Sequence, residues 1–361
     1  MAILQHDSLT RWQEAFFLLL RCGLWEQAPD CQALFPLSDD EWQAVYDEAR
    51  RQAVQGLLYR GFQQLPIPFF PPQALVMRWV ADADVVEQTY HQSLRATTQS
   101  WQLLCQSGQQ PLLQKGLAVG LLYEHPEERV YGDVDWYVGD MAAAKTLLEQ
   151  RGIKTEHAAD RSMSFTMDGV QIELHPQLID MQQRRPSDRS ADEATTMELA
   201  LPDGTHIATP APLPTLLMLE AHILKHVVTV GIGLRQFCDL ARAYHALYRQ
   251  ADGSRLADSY RRLGLERWTQ LSQTFLHQYL GTPLEELPTQ RLASDKACRR
   301  LARAILRWGN FGQHTQAWQT AAVHHHTKWH TIRQIACNLP FALRYAPSNT
   351  LRHIGMLVRN Q

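Results

Sequence analysis

Two aspartates separated by one residue have the clearest chemical potential in this sequence. Asp133-Val134-Asp135 begins a segment that alternates polar and apolar residues as far as Val138, a pattern typical of a β-strand. Because successive strand side chains point to opposite faces, both carboxylates share one face, with Cα atoms roughly 6.5–7 Å apart. Carboxylates at this spacing can bind the paired hard cations of two-metal phosphoryl-transfer sites.

A third carboxylate lies on a later predicted strand. Asp168-Gly169 is a dipeptide favoured in two-residue hairpin turns, so residues 170–175 are predicted to form the second strand of a hairpin. On that strand Gln171, Glu173 and His175 share one face, and the strand could lie beside the first. Taken alone, an Asp-x-Asp motif on a strand is also common on a solvated face, and the motif by itself leaves that alternative open.

Three regions of different periodicity surround these carboxylates. Residues 1–110 show helical spacing of apolar residues, with a helix start at Ser38 and a long helix from about 73 to 106. Residues 111–210 contain the short predicted strands, and residues 211–361 return to helical spacing. The sequence therefore predicts an α+β fold, in which a small sheet domain is flanked by two helical regions.

Within the central region the predicted elements follow a definite order. A strand over residues 111–114 ends at Lys115-Gly116, and a helix is expected over residues 117–123. A capped helix over 141–151 follows the Asp-x-Asp strand. The segment 177–200 is polar and is expected to form a loop.

The order of these motifs resembles that of the polymerase-β type of nucleotidyltransferase, and in particular a bacterial family of uncharacterised nucleotidyltransferases. The resemblance covers roughly residues 15–315 and has one departure, because Glu173 stands where the family usually has Asp. The matching residues are Lys115-Gly116, Tyr123, Arg129, Asp133-Val134-Asp135, Ile172-Glu173-Leu174-His175, His222, His226, Gly231-Ile232-Gly233-Leu234-Arg235-Gln236, Asp239-Leu240-Ala241 and, as in some members, Gly309-Asn310-Phe311-Gly312.

This resemblance implies transfer of a nucleoside monophosphate from an NTP, ATP by default, to an acceptor hydroxyl, with release of pyrophosphate. It implies that Asp133 and Asp135 hold two Mg²⁺ ions, and that Glu173 completes the metal site and helps to deprotonate the acceptor. Lys115 would neutralise phosphate charge, and Gly116 would let the backbone approach the triphosphate at a helix N-terminus. The acceptor, whether a small molecule, a peptide or an RNA, is left open.

Five further residues are candidate nucleotide contacts, each with a structural alternative. Arg129 could fold over the phosphates or be an ordinary surface-loop arginine. His222 and His226 lie four apart on one helical face; they could pack, contact the nucleotide, or form a metal pair that lacks a third ligand. Arg235 and Asp239 could form a helix pair, or Arg235 could bind phosphate through its planar guanidinium.

Charge is distributed unevenly along the chain. Residues 1–295 carry 25 Lys and Arg against 37 Asp and Glu, a net charge of −12, whereas residues 296–361 carry 10 Lys and Arg and no acid. We expect this basic tail to form helices that pack on the acidic body rather than a free nucleic-acid arm. Arg299, Arg303 and Arg307 are its candidates for contact with an anionic acceptor or the triphosphate.

Other features narrow the class of protein. The apolar run from Ala15 to Leu20 is far shorter than a membrane span, which needs about 20 residues, and the sequence has no secretory signal pattern; a cytoplasmic protein is expected. The six cysteines are scattered without metal-ligand spacing, which favours reduced thiols. Two alternatives to an active enzyme stay open: a catalytically weak nucleotide-binding regulator of the same fold, and an RNA-modifying or RNA-binding protein.

Overall fold

The N-terminal helices confirm the helical periodicity of the first region. They are α1 (Arg11–Trp25), α2 (Asp39–Arg51) and α3 (Gln55–Gln63). Helix α2 begins with a capping box, in which the Ser38 hydroxyl accepts from the Glu41 backbone N–H at 3.3 Å and the Glu41 carboxylate accepts from the Ser38 N–H at 2.9 Å. This arrangement satisfies two backbone donors that a helix start otherwise leaves without partners.

The computed structural model describes residues 9–28, 33–158, 161–179, 195–228, 231–289, 291–310 and 339–347. The remaining helices are α4 (Gln73–Cys105), α5 (Gly116–Gly120), α6 (Met141–Gln150), α7 (Pro212–Val228), α8 (Leu234–Leu247), α9 (Gly253–Arg262), α10 (Glu266–Leu280) and α11 (Asp295–Trp308). The strands are β1 (Leu112–Gln114), β2 (Val134–Tyr137), β3 (Glu156–His157), β4 (Met163–Met167), β5 (Val170–His175), β6 (Thr196–Ala200) and β7 (His206–Pro210). The fold is α+β, as predicted.

The chain divides into two compact units. The helical unit comprises Met1–Asp84, Ile223–Ala241 and Gly253–Gln361, and the sheet unit comprises Val85–His222 and Arg242–Asp252. Three of the four boundaries fall inside α4, α7 and α8, and the fourth precedes α9. The division into 1–110, 111–210 and 211–361 that follows from periodicity stays a prediction. Within the described ranges, no helix combines the length and apolarity that crossing a bilayer requires.

The sheet of the sheet unit has five strands in the order β1-β2-β5-β4-β3. Strands β2 and β5 are parallel, and the other neighbouring pairs are antiparallel. The predicted hairpin at Asp168-Gly169 is confirmed, with both residues at positive φ, 50° and 74°. Strands β6 and β7 form a separate antiparallel pair, and the Thr209 hydroxyl of β7 donates to the Leu113 carbonyl of β1 at 2.9 Å.

One face of the five-stranded sheet is apolar and buried. Val134 and Trp136 of β2 and Ile172 and Leu174 of β5 belong to a core cluster that also contains residues of α4 and α6. The Trp136 indole N–H donates to the Ser100 hydroxyl of α4 at 2.9 Å, which satisfies a polar group in this core. Because strand side chains alternate, the residues between these four point to the opposite face.

The sequence prediction was wrong in two places in the sheet unit. Helix α5 ends at Gly120, three residues before the predicted end, and i+3 backbone bonds from Leu122 and Tyr123 continue the chain as turns. The polar segment expected to loop contains strand β6, whereas residues 180–194 of that segment lie outside the described ranges. Strand β6 alternates polar Thr196 and Glu198 with apolar Met197 and Leu199, a short strand pattern within the segment that was expected to loop. It pairs with β7 in an antiparallel register.

Two glycines allow α1 and α3 of the helical unit to touch backbone to backbone. A Cβ on Gly23 would lie 1.8 Å from the Leu57 carbonyl oxygen, and a Cβ on Gly61 would lie 2.0 Å from the Leu19 carbonyl oxygen. Real Cβ atoms essentially never approach this closely, so any side chain at these positions must push the two helices apart. The sequence pattern identified neither contact.

We predict that Gly61→Ala lowers the free energy of unfolding by about 1–2 kcal/mol, because overpacking the helix contact costs up to about 3 kcal/mol and outweighs the ~1 kcal/mol by which Ala favours a helix interior. Denaturant unfolding of the two proteins measures this difference. Gly139→Ala is the matched control, since a Cβ there meets nothing within 4 Å. Equal stability of Gly61→Ala and the wild type would contradict the close approach of α1 and α3.

Candidate active site

Asp135 and Glu173 lie side by side on the polar face of the sheet. Parallel strands β2 and β5 pair Asp135 with Glu173 and Tyr137 with His175, so the predicted neighbouring position of the third carboxylate is confirmed. The His175 Nε2 atom lies 2.7 Å from Asp135 Oδ1 and 3.6 Å from Glu173 Oε2. The Gln171 amide donates to Glu173 Oε1 at 3.1 Å and so orients that carboxylate.

Lys115 completes the cluster from the turn between β1 and α5. Its Nζ atom lies 3.1 Å from Asp135 Oδ1, and only 17% of the lysine side chain and 6% of the aspartate side chain are exposed. The backbone of Lys115 has φ 44° and ψ −144°, a conformation that residues other than Gly rarely adopt. Such strain costs about 1–3 kcal/mol and is typical of functional sites.

The ionisation of Asp135 is controlled by these neighbours. Burial alone would raise the pKa of the Asp135 carboxyl, but the charge of Lys115 and the hydrogen bond from His175 more than offset burial and hold the pKa well below its usual range. Burial alone would lower the pKa of Lys115, whereas Asp135, Asp133 and Glu173 raise it above its usual value. Asp135 and Lys115 are therefore both charged at neutral pH.

The pKa of the Glu173 carboxyl is shifted upward, opposite to that of Asp135. Burial raises its pKa, and the nearby charges of Asp133 and Asp135 raise it further, against the smaller effects of His175 and Lys115. Like charges that converge in a partly buried place favour protonation or the binding of a cation. The glutamate is thus the most basic carboxylate of the cluster.

The donor set fits a divalent metal ion. One ligand atom from each of Asp135, Glu173 and His175 lies within 4.8 Å of the others. Carboxylate oxygens suit Mg²⁺ or Mn²⁺, and an imidazole nitrogen is compatible with Mn²⁺ and other transition metals.

Asp133, which the sequence placed in the metal site, is exposed and immediately precedes β2. It acts on the cluster through its charge, and direct metal binding by Asp133 stays a prediction.

His175 is the residue that sequence reasoning missed. The alternation of β5 placed it on the face of Glu173, but no role was assigned to it. Its contact with Asp135 depends on the parallel pairing of β2 and β5, which brings together residues 40 positions apart. Gln114 of β1 was also missed: it pairs with Asp135 across the antiparallel edge, and its side chain is buried.

The segment between α5 and β2 contains Arg129, a candidate nucleotide contact, and is held in place by Arg242 of α8. Arg129 is only 4% exposed, and its guanidinium carbon lies 4.8 Å from the centroid of the Tyr131 ring; the surface-loop alternative is therefore wrong. Arg242 of α8 donates from Nε and Nη2 to the Leu122 carbonyl at 3.0 and 2.7 Å and also contacts Glu124 at 3.1 Å. These bonds fix the turn that follows α5.

The remaining predicted site residues lie on α7 and α8. His222 belongs to the sheet unit, whereas His226, Arg235 and Asp239 belong to the helical unit. Both histidines and Arg235 are partly buried, and Asp239 is buried. Nucleotide contact by these four residues stays a prediction, as does contact by Arg129, Lys115 and Gly116. Helix α5 at Gly116 has five residues, so its dipole can contribute little.

The glycine motif at the start of α8 has a structural role. A Cβ on Gly231 would lie 2.6 Å from Trp308, and one on Gly233 would lie 3.0 Å from the Asn310 backbone. The Leu234 N–H donates to the buried Gln52 side chain at 3.0 Å. The motif and Gly309-Asn310 are thus in contact within the helical unit, whereas Phe311 and Gly312 lie outside the described ranges.

A mixed five-stranded sheet that presents paired carboxylates beside a strained lysine turn defines an α+β protein with a candidate phosphoryl-transfer site. The chain matches the model of a family described as uncharacterised nucleotidyltransferase over residues 38–281. This match covers about two thirds of the chain, and the protein belongs to that family. Membership supports a transferase that acts on nucleotidyl groups, with a nucleoside triphosphate as substrate. No curated protein and no solved structure matches the chain significantly.

We predict that Lys115→Gly is more stable than Lys115→Ala by about 1 kcal/mol or more. Both variants remove the ammonium group, but only glycine adopts the positive φ of this turn without a steric penalty. Thermal or denaturant unfolding of the two variants measures the difference. Ala118 in the adjacent helix α5 is the control position. There, Ala118→Gly should be less stable than the wild type by about 1 kcal/mol. The same order of Gly and Ala at both positions would contradict the strained backbone.

Proposed function

We propose that the protein is a metal-dependent nucleotidyltransferase that transfers a nucleoside monophosphate from an NTP to an acceptor hydroxyl and releases pyrophosphate. The observation that carries the proposal is the register of the parallel strands, which pairs Asp135 with Glu173 on one polar face. Family membership supplies the reaction class. ATP is the default donor, and the acceptor is a small molecule, a peptide or an RNA.

Asp135 and Glu173, together with His175 or Asp133, would hold the metal ion, with Mg²⁺ favoured by a carboxylate set and two ions favoured by three carboxylates. A bound divalent cation would neutralise the triphosphate and stabilise the charge that develops during transfer. The ammonium group of Lys115 offers a second positive charge at the same place, since it lies 3.1 Å from Asp135. In this role the Lys115 ammonium group would leave the Asp135 carboxylate and contact a phosphate oxygen of the triphosphate instead.

Glu173 is suited to accept the proton of the acceptor hydroxyl. The bond from the Gln171 amide fixes one of its oxygens, and the strand register places it beside Asp135. The acceptor oxygen forms a bond to the α-phosphorus, the bond from that phosphorus to the bridging oxygen breaks, and pyrophosphate leaves with the electron pair. The hydroxyl proton passes to Glu173. If Asp133 rather than His175 is the further metal ligand, His175 Nε2 keeps its 2.7 Å contact with Asp135 and orients that carboxylate.

We predict that Asp135→Asn and Glu173→Gln each reduce transfer by about 100-fold or more, because each removes several kcal/mol of charge stabilisation. Glu173→Asp should keep more activity than Glu173→Gln, since it keeps the carboxylate. The measurement is the incorporation of label from each α-³²P-NTP into a lysate and a metabolite pool.

Glu156→Gln on the exposed edge strand β3 is the matched control and should label as the wild type does. Wild-type protein that binds an NTP but labels nothing would favour the nucleotide-binding regulator. Equal labelling by the wild type, Asp135→Asn and Glu173→Gln would contradict the enzyme proposal.

We predict that EDTA abolishes both the labelling and the tight binding of NTP, and that Mg²⁺ restores both. Asp135→Asn should raise the Mg²⁺ concentration that gives half of the maximal NTP binding by at least about tenfold, because it removes a buried ligand charge. Equilibrium dialysis with labelled NTP at a series of Mg²⁺ concentrations measures this. NTP binding that is unaffected by EDTA would argue against a metal-dependent site.

A further inference from the structure

An open cavity of about 440 Å³ lies within the helical unit. Helix α10, the segment that leads into α11, and residues 345 and 344 from the short helix over 339–345 line it. A cavity of this volume falls in the range that binds small molecules and nucleotides. Most of its lining lies beyond residue 281, where the match to the family ends.

Three arginines line this cavity. They are Arg267, Arg291 and Arg344, and the lining residues include no Asp or Glu. In the part of the chain that the structure describes, none of the three guanidinium groups forms an ion pair. Residues 296–361 contain no Asp or Glu. Three like charges around one cavity repel one another unless an anion lies among them.

The remaining polar groups of the cavity favour a phosphate over other anions. The planar guanidinium presents paired donors that match phosphate oxygens. Ser294 caps the 14-residue helix α11 at the cavity wall, where the positive end of the helix dipole is offset in part by Asp295 of the first turn. Gln270 offers an amide donor, and Tyr345, half-buried with Arg344 5.6 Å from its ring centroid, offers an aromatic surface.

We propose that this cavity binds a small molecule that carries one or more phosphate groups, through Arg267, Arg291 and Arg344. The site shares no residue with the Asp135 cluster and is independent of the proposed catalytic function. Bare phosphate, pyrophosphate and nucleoside phosphates share this chemistry. A contribution from Tyr345 would distinguish nucleoside phosphates from the others, because an aromatic ring can stack on a base.

Isothermal titration with inorganic pyrophosphate tests the proposal, with EDTA present so that metal-dependent binding is excluded. The wild type should bind one equivalent. The triple variant Arg267→Gln, Arg291→Gln and Arg344→Gln should bind at least about tenfold more weakly. All three arginines are exposed, so we expect the variant to fold; Arg344→Gln alone, with an intermediate loss, is the second variant. Parallel titrations with phosphate, AMP and ADP identify the preferred ligand.

The matched control removes the same charge from exposed residues outside the cavity, through Lys154→Gln, Lys296→Gln and Arg300→Gln. It should weaken binding by less than about threefold, since screened surface charges act weakly. Equal losses in the two triple variants, or unchanged binding by the arginine variant, would overturn the proposal. The proposal would also be overturned if the protein bound single-stranded RNA but none of phosphate, pyrophosphate, AMP and ADP. Tyr345→Leu should weaken AMP binding but not pyrophosphate binding if the ligand is a nucleotide.

Discussion

The buried charge of Asp135 is the constraint on which the candidate site depends. A carboxylate removed from water is costly unless charged or hydrogen-bonding groups surround it. Here Lys115 and His175 supply those groups at 3.1 and 2.7 Å, and together they keep the carboxylate ionised. Each of them comes from a different strand or turn, so the charge can be buried only when three segments of the sheet unit are correctly placed.

The topology of the sheet explains how this placement arises. A parallel pair such as β2 and β5 requires a long crossover, and the chain supplies it as helix α6, strand β3 and strand β4. The apolar face carries Trp136 and Leu174 into the core, and this burial fixes the register. Once the register is fixed, Asp135 and Glu173 must be neighbours. The strained turn at Lys115 then directs an ammonium group to the same face, at a cost in backbone energy that packing elsewhere must offset.

Glycines serve two purposes in this fold, close contact between segments and positive φ at turns. In the helical unit, Gly23 and Gly61 permit close helix contact, and Gly231 and Gly233 make room for residues of another segment. In the sheet unit, Gly116 and Gly169 supply positive φ at turns next to strands. The glycines of the 231–233 motif thus have a packing role, and the candidate carboxylates lie on one face of the sheet.

The sequence by itself determined the strand pattern, the hairpin at Asp168-Gly169, the capped helices and the candidate carboxylates. These follow from local rules: side chains alternate along a strand, and caps and turns require particular residues. Only the tertiary structure decided that His175 and Lys115 both contact Asp135, and that Arg129 is buried. Each of these depends on segments distant in sequence, because pairing, burial and ion-pair geometry arise between elements and leave no periodic signal within one.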